Sequence, residues 1–316
     1  MTRQAVDRWL GAGVLAVIAV TAMTAWWLHR QVKHVPAGAS IPVTVQATAY
    51  REITTIPVTI DQPAALMVDR GTVYIAGKKA IQKHRRRGPR MIGDDTPTTV
   101  SGSVTAITYS SASHSAYLAM HDAVTPWLEG VTQEGWPTQP GMRITGLATF
   151  EDTVWAADAG NRQVSGFGLD GKIIRTLAKK DEEKGIPGLL LPGGQFDLAV
   201  NRRGELFITN PGRHRIEVFD RKGTLLRSWG VASMQPGGFS GCCNPVALAV
   251  MPDGSIITAE KGRGRLQRFS DCGNFQEVVA DLGKGDGFDL ALDGDDILLL
   301  DVQAKLVRVF KRTVTE

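Results

Sequence analysis

The sequence predicts an all-β protein, a six-bladed β-propeller behind one N-terminal transmembrane helix, and three observations predict it. An apolar strand pattern recurs with a period of about 40–50 residues along most of the chain. The 35 glycines among 316 residues supply turns for many short strands. One uncharged run, Trp9–Leu28, precedes the repeats.

That run comes first in the chain. Twenty residues at about 1.5 Å each span roughly 30 Å, the hydrocarbon thickness of a bilayer. Trp26 and Trp27 suit an aromatic belt, with Arg30 and Lys33 beyond it. Residues 1–34 therefore read as a membrane anchor, with membrane contact through residues 9–28. A signal peptide cut after Ala22 is the alternative, but the apolar run continues through Met23–Leu28. The charged flanks are nearly balanced and fix no orientation. A single anchor ahead of a large domain usually translocates it, which puts that domain in the periplasm or outside the cell, with a bacterial inner membrane as the expected home.

Residues 35–42 form a short Pro/Gly/Ala/Ser linker, and residues 43–316 carry the repeats. The copies begin AALMVD, TAITYS, GLATF, DLAVNRRGELFITN, ALAVMPDGSIITAE and DLALDGDDILLLD. Equivalent residues are Leu66, Ile107, Leu147, Leu198, Leu248 and Leu290, at intervals of 41, 40, 51, 50 and 42 residues. Period-two alternation within each segment marks half-buried strands. The last copy ends after its third strand, since RTVTE is too short for a fourth. Residues 43–60 are strand-like and otherwise unassigned, so they are expected to supply that outer strand and close the ring.

The fourth copy joins Asn210, His214, Arg215, Val218, Phe219, Asp220 and Gly223, and the third Asp158, Asn161, Arg162 and Phe167. This pattern resembles the NHL repeat over about residues 60–311. The resemblance implies a six-bladed propeller that binds proteins, RNA or small molecules, with a few enzymatic relatives. NPVALAVMPDG also resembles a segment of gluconolactonase-like propellers, which hold a central divalent cation through a Glu, an Asn and an Asp. Asn244 matches that asparagine, and no residue matches the first-blade glutamate. A group of bacterial NHL-like proteins is similar in having Cys-Cys-Asn-Pro followed by a Glu and an Arg, here Glu260 and Arg265.

Charge narrows the partners. The net charge is +4, but residues 1–34 hold Arg3, Arg8, Arg30 and Lys33 against Asp7. The rest is nearly neutral, which argues against nucleic acid. The basic run of Lys78, Lys79, Lys83, Arg85, Arg86, Arg87 and Arg90 reads as a solvated outer strand and turn of the first blade, or as a surface for anionic lipid or another polyanion. It lacks interleaved aromatic residues to stack on bases.

Four second strands end in Asp158, Asn210, Glu260 and Asp301, and the next strands begin near Arg162, Arg215, Arg265 and Lys305. Recurrence of this pairing reads as architecture, in which each acid or amide holds the base opposite. Among the six histidines none forms an HxH or HExxH array. His121 with Asp122 is the best single histidine candidate, although a solvated loop histidine is the plainer reading.

Cys242 and Cys243 precede the innermost strand of the fifth copy, beside the central channel, and the only other cysteine is Cys272. A vicinal disulfide, a bridge from one of the pair to Cys272, a soft metal or cluster, and two small buried residues all remain open. The ligand-binding candidates are thus Cys242, Cys243, Asn244, Glu260 and Arg265, for a protein or small-molecule ligand on the propeller face. No cofactor is predicted, with a divalent metal or cluster as the alternative. The function expected is binding or scaffolding. A metal-dependent hydrolase or lactonase, or a periplasmic redox protein using the cysteine pair, stands behind it.

Overall fold

A computed structural model describes residues 49–313 apart from 88, 89, 94, 95, 121 and 129. The run 9–28, the linker 35–42, residues 43–48 and His121 lie outside the described residues. Among the described residues no helix is long and apolar enough to cross a membrane.

The described chain is built from antiparallel meanders. After β1 (Tyr50–Pro57) come β2 (Ala65–Asp69), β3 (Thr72–Ala76) and β4 (Lys78–Arg87). A short β5 (Arg90–Gly93) folds back on the far half of β4, while β6 (Thr98–Ser110) pairs with its near half. From Val104 onward β6 pairs instead with β7 (Ser115–Met120), which continues to β8 (Ala123–Leu128) and β9 (Val131–Thr132). One eight-stranded sheet results.

Four-stranded sheets follow. The first holds β10 (Ile144–Phe150), β11 (Thr153–Asp158), β12 (Gln163–Gly168) and β13 (Ile173–Leu177). The second holds β14 (Leu198–Val200), β15 (Leu206–Asn210), β16 (Arg215–Phe219) and β17 (Leu225–Trp229). The third holds β18 (Ala247–Val250), β19 (Ile256–Glu260), β20 (Arg265–Phe269) and β21 (Phe275–Asp281). The last holds β22 (Phe288–Asp293), β23 (Asp296–Asp301) and β24 (Leu306–Arg312), and β1 pairs along the outer edge of β24 from Tyr50–Arg312 to Pro57–Leu306. Strands β2, β6, β10, β14, β18 and β22 contact one another in a closed cycle around a channel of about 340 Å³.

Burial explains the strand composition. β15, β19 and β23 are buried along their whole length because sheets cover both their faces. They consequently read as near-continuous apolar runs, while the outer β17 is mostly half-buried and exposes Leu226. The marker residues Leu66, Ile107, Leu147, Leu198, Leu248 and Leu290 are all buried. Leu248 packs with Phe207, Ile216, Phe239, Ile256 and Phe269 between neighbouring sheets. Burying each such side chain contributes about 1.5–3 kcal/mol. Turn chemistry sets the register. Gly254 takes φ +88° in Met251-Pro252-Asp253-Gly254, where its N–H donates to the Met251 carbonyl at 2.9 Å.

The turn between second and third strands corrects one expectation. Arg162, His214 and Lys305 have φ of 52–53°, and Gly264 stands in the matching place at +67°. Arg162 and Lys305 are therefore left-handed turn residues, and the strand positions opposite Asp158 and Asp301 belong to Gln163 and Leu306. Asp158 accepts instead from the Arg143 and Asn161 backbone N–H groups at 3.0 and 3.1 Å, and Asp301 from Arg308 Nε at 3.2 Å. Asn210 lies opposite Arg215 but donates to Glu217 Oε1 at 2.9 Å. Of the four expected pairs only Glu260–Arg265 forms.

The basic run also differs from its expected place. It forms β4, the third strand of its meander, and part of the β5 hairpin rather than an outer strand. Lys78, Lys79 and Arg85 are exposed, whereas Lys83 carries its ammonium 5.4 Å from the Trp127 ring centroid. His84 and Gln82, interleaved among them, are buried, with Gln82 Nε2 2.6 Å from His84 Nε2.

Candidate functional site

The loop 230–246 leads from β17 into the innermost strand β18, and two anchors hold it. Phe239 is fully buried, and its N–H donates to the Val231 carbonyl at 2.8 Å. Beside it, Glu260 and Arg265 form an ion pair with side chains 0% and 1% exposed. The Glu260 carboxylate accepts from Arg265 Nε at 2.5 Å and Nη2 at 3.0 Å, from Gln267 Nε2 at 2.8 Å, and from Ser240 N–H and hydroxyl at 2.7 and 2.8 Å. Arg265 also donates to the Met234 and Gly238 carbonyls at 2.9 and 2.8 Å. Pairing with full hydrogen bonding is what makes a buried ion pair tolerable. These side chains clamp the loop and have no donor or acceptor aimed at a ligand.

Asn244 is the second anchor. Its amide donates to the Ser240 and Lys261 carbonyls at 2.7 and 3.0 Å and accepts from Lys261 N–H at 2.8 Å. The side chain is 2% exposed and spent on the loop, a geometry that does not favour the lactonase-like alternative for it. Among the described residues no group of three or more His, Cys, Asp or Glu stands close enough to hold a metal ion.

Between these anchors lie Cys242, exposed, and Cys243, buried. They are not bonded to each other in the structure, and their Sγ atoms lie 2.9 Å apart. A Cβ built on Gly193 would meet Lys261 Nζ at 3.3 Å and Cys243 Sγ at 3.8 Å, so the ammonium and the buried sulfur flank the same glycine, near enough for the charge to act on the thiol. Burial, and then the hydrogen bond with Cys242, push the Cys243 thiol up, while the Lys261 charge and the Gly193 N–H pull against them.

Cys272 stands elsewhere. It lies in the turn from β20 to β21, whereas Cys242 and Cys243 lie by Lys261 at the other end of β20. Five strand residues separate the ends by about 13 Å, beyond the roughly 7 Å Cα limit of a disulfide. Of the open alternatives, the bridge to Cys272 is therefore incompatible with the fold. A hydrogen bond with Asp271, followed by burial, holds the Cys272 thiol above its usual range.

The channel itself holds a site that sequence reasoning missed. Asp197 immediately precedes β14, Asp289 is the second residue of β22, and both line the channel wall. Asp197 accepts from the N–H of Leu198 at 2.8 Å and of Leu248, across the sheet boundary, at 2.9 Å. Asp289 repeats this with Leu290 at 2.9 Å and Leu66 at 2.7 Å. Each carboxylate thus ties one innermost strand to the next. Burial and then repulsion by Asp289 push Asp197 up to about 8, and burial pushes Asp289 up to about 6. The signal was present. At the position before each marker residue the other copies carry Ala65, Ala106, Gly146 and Ala247. Gly146 is required where it stands, since a Cβ there would meet Asp197 Oδ1 at 2.6 Å.

No family profile and no curated protein matches the chain. Solved structures do. Virginiamycin B lyase from Staphylococcus aureus superposes with a TM-score of 0.57 at 11% identity, covering 83% of this chain and 99% of that one. A Bacteroides thetaiotaomicron protein of unknown function gives 0.60 at 12% identity, covering 84% and 73%. A streptogramin B lyase gives 0.52 at 14%, covering 79% of each.

The fold is a β-propeller.

At these identities the likeness extends to the propeller fold and no further. Of the residues singled out in the sequence, Cys242, Cys243, Asn244, Glu260 and Arg265 do converge on one loop. The basic strand does not join them, and Asp122 lies exposed in the turn between β7 and β8.

Proposed function

We propose that this chain is a six-bladed, NHL-type propeller, tethered by its N-terminal segment outside the cytoplasm, that acts as a binding or scaffolding module. The blade count is supported by the closed cycle of six innermost strands and by β6, whose two halves pair with different neighbours. In this reading the eight-stranded sheet is two blades sharing one long strand. The tether is supported by the uncharged run 9–28 and its tryptophans.

The observation that carries the binding role is the channel of about 340 Å³ with a clamped loop at the end where the chain leads into its innermost strands. Rigid scaffolds with loops at a concave mouth are where ligands are received. Thr105 lines that channel and is exposed. Native mass spectrometry of the full chain, released from its own membrane, is expected to find a retained small molecule or partner, lost in Thr105→Trp. An empty native chain, or equal retention in the variant, counts against a channel ligand.

Placement has its own test. In a Cys272→Ser background, intact cells treated with a membrane-impermeant reductant, washed and given a membrane-impermeant maleimide are expected to carry label on Cys242. Labelling only after lysis would put the propeller in the cytoplasm.

A hydrolase-like reading stands second, favoured by one observation. Asp197 and Asp289 hold protons in separate ranges, about 8 and about 6, as an acid–base pair requires. It ranks lower because all four carboxylate oxygens accept backbone N–H groups that join innermost strands.

A further inference from the structure

We propose that Cys242 and Cys243 are a reversible redox site, a vicinal dithiol that closes and opens by exchange with a disulfide-class oxidant. The inference rests on the reading of this face as the extracytoplasmic binding face, because such oxidants persist outside the cytoplasm. It deepens that reading by giving the loop a chemical switch.

Three observations carry it. The two sulfurs are already 2.9 Å apart, inside van der Waals contact, so closure needs only a local adjustment of the two residues. The flanking backbone is fixed on both sides, by Ser240 on Glu260 and by Asn244 on Lys261, so the sulfurs meet in a held geometry. The pair is also asymmetric. Cys242 is open to solvent, while Cys243 is covered and flanks Gly193 together with Lys261 Nζ. An exposed attacking thiol with a covered resolving thiol is the arrangement exchange requires. Cys272, at the far end of the blade, cannot compete.

The chemistry balances. The Cys242 thiolate attacks one sulfur of the oxidant R–S–S–R, forming a mixed disulfide and expelling RS⁻. Cys243 loses its proton to that thiolate or to water and attacks Cys242 Sγ. The Sγ–Sγ bond forms, the second RS⁻ leaves and takes up a proton, and two thiols of the protein have become one disulfide while R–S–S–R has become two R–SH. Adjacent Cα atoms lie about 3.8 Å apart, below the usual disulfide range, which favours a reopenable bond over a permanent staple. Lys261 steadies the Cys243 thiolate as it forms and when reduction releases it.

The test uses the full chain and glutathione as the probe. Samples are equilibrated over graded ratios of oxidised to reduced glutathione, quenched in acid, alkylated and peptide-mapped. In oxidising mixtures the peptide holding Cys242 and Cys243 is expected to lose two hydrogens and take neither label nor lasting glutathione, and to regain two labels on reduction, while exposed Cys272 takes a label or a single glutathione and never a bridge. Cys243→Ser is expected to stop at a single glutathione adduct on Cys242. Cys242→Ser is expected to give neither adduct nor closure, because its remaining thiol is covered. Two labelled thiols at every ratio, or a glutathione adduct on native Cys242 that never resolves, would overturn the proposal.

The binding reading fails separately. A bridge that cycles in a chain retaining no channel ligand leaves the redox site standing without its binding face. A ligand retained by a chain whose thiols never close leaves the reverse.

Discussion

Raising the pH from about 4 to about 9 is expected to make the propeller progressively easier to unfold, through Asp197 and Asp289. Both carboxyls titrate above the range near 4 that an aspartate has in an unfolded chain, at about 8 and about 6. The folded state therefore holds protons that the unfolded state releases. The stability this represents is complete below about pH 4 and is lost as pH rises through about 6 and then about 8. Each unit of displacement is worth about 1.4 kcal/mol, so the cost by pH 9 is on the order of several kcal/mol. Glu205 works in the other direction and outside this window. Its hydrogen bond from Arg227, ahead of those from Arg203 and Asn201, holds it down at about 2, so its contribution is constant above about pH 5.

Urea midpoints of the native chain and of Asp197→Asn, followed from pH 5 to pH 9, isolate the effect. The variant is expected to be less stable at pH 5, because an amide nitrogen faces one of the two N–H donors that Asp197 satisfies. Its midpoint should fall far less with pH, since the repulsion is gone along with the titrating group. Parallel profiles for the two proteins would show that the pair does not carry the pH dependence.

This carboxylate pair marks the limit of what the sequence made legible. The innermost strands were readable because each buries a leucine or isoleucine at a regular interval and is bounded by turn chemistry such as Pro252-Asp253-Gly254. That rhythm also concealed the site. Asp197 and Asp289 occupy the place next to the marker, and only comparison of copies at that one position, against Ala65, Ala106, Gly146 and Ala247, separates them from ordinary strand-leading acids. Their raised protonation depends on burial and, for Asp197, on the charge of Asp289, which stands 92 residues away in sequence.

Register was the other loss. Asp158–Arg162 and Asp301–Lys305 are spaced by four residues, and Asn210–Arg215 and Glu260–Arg265 by five. Treating them as one repeated pair ignored the single residue that decides whether a base lies in the left-handed turn or in the strand beyond it. In a strand, one residue of slip sends a side chain to the other face. The long β6 was hidden for a related reason: Ser101-Gly102-Ser103, a turn signal in sequence, lies inside one continuous strand just where its pairing passes from β4 to β7.

Truncating one partner of the remaining pair is expected to have the second large effect. Arg265→Leu leaves the Glu260 carboxylate with no cation while it stays fully buried, and it removes the guanidinium donors to the Met234 and Gly238 carbonyls, of which Gly238 keeps Gln267 Nε2 at 2.9 Å. Breaking a buried ion pair in this way costs about 3–5 kcal/mol. Glu260→Gln is expected to cost less, because a carbonyl oxygen still accepts and the uncompensated charge is then an arginine within reach of those two carbonyls. Double replacement by Glu260→Gln and Arg265→Leu should cost less than the sum of the single changes, since neither product leaves a bare charge in the core. The effect should also reach the thiols. Ser240 loses the carboxylate that fixes it in Glu260→Gln, so Cys242 and Cys243 are no longer held in contact from that side. Closure of the pair in oxidised glutathione is then expected to slow, while the first adduct on exposed Cys242 forms as before. If both steps kept their native rates in a folded Glu260→Gln chain, the clamp would have no part in presenting the sulfurs, and the sequence-adjacent thiols would be meeting through their own short tether alone.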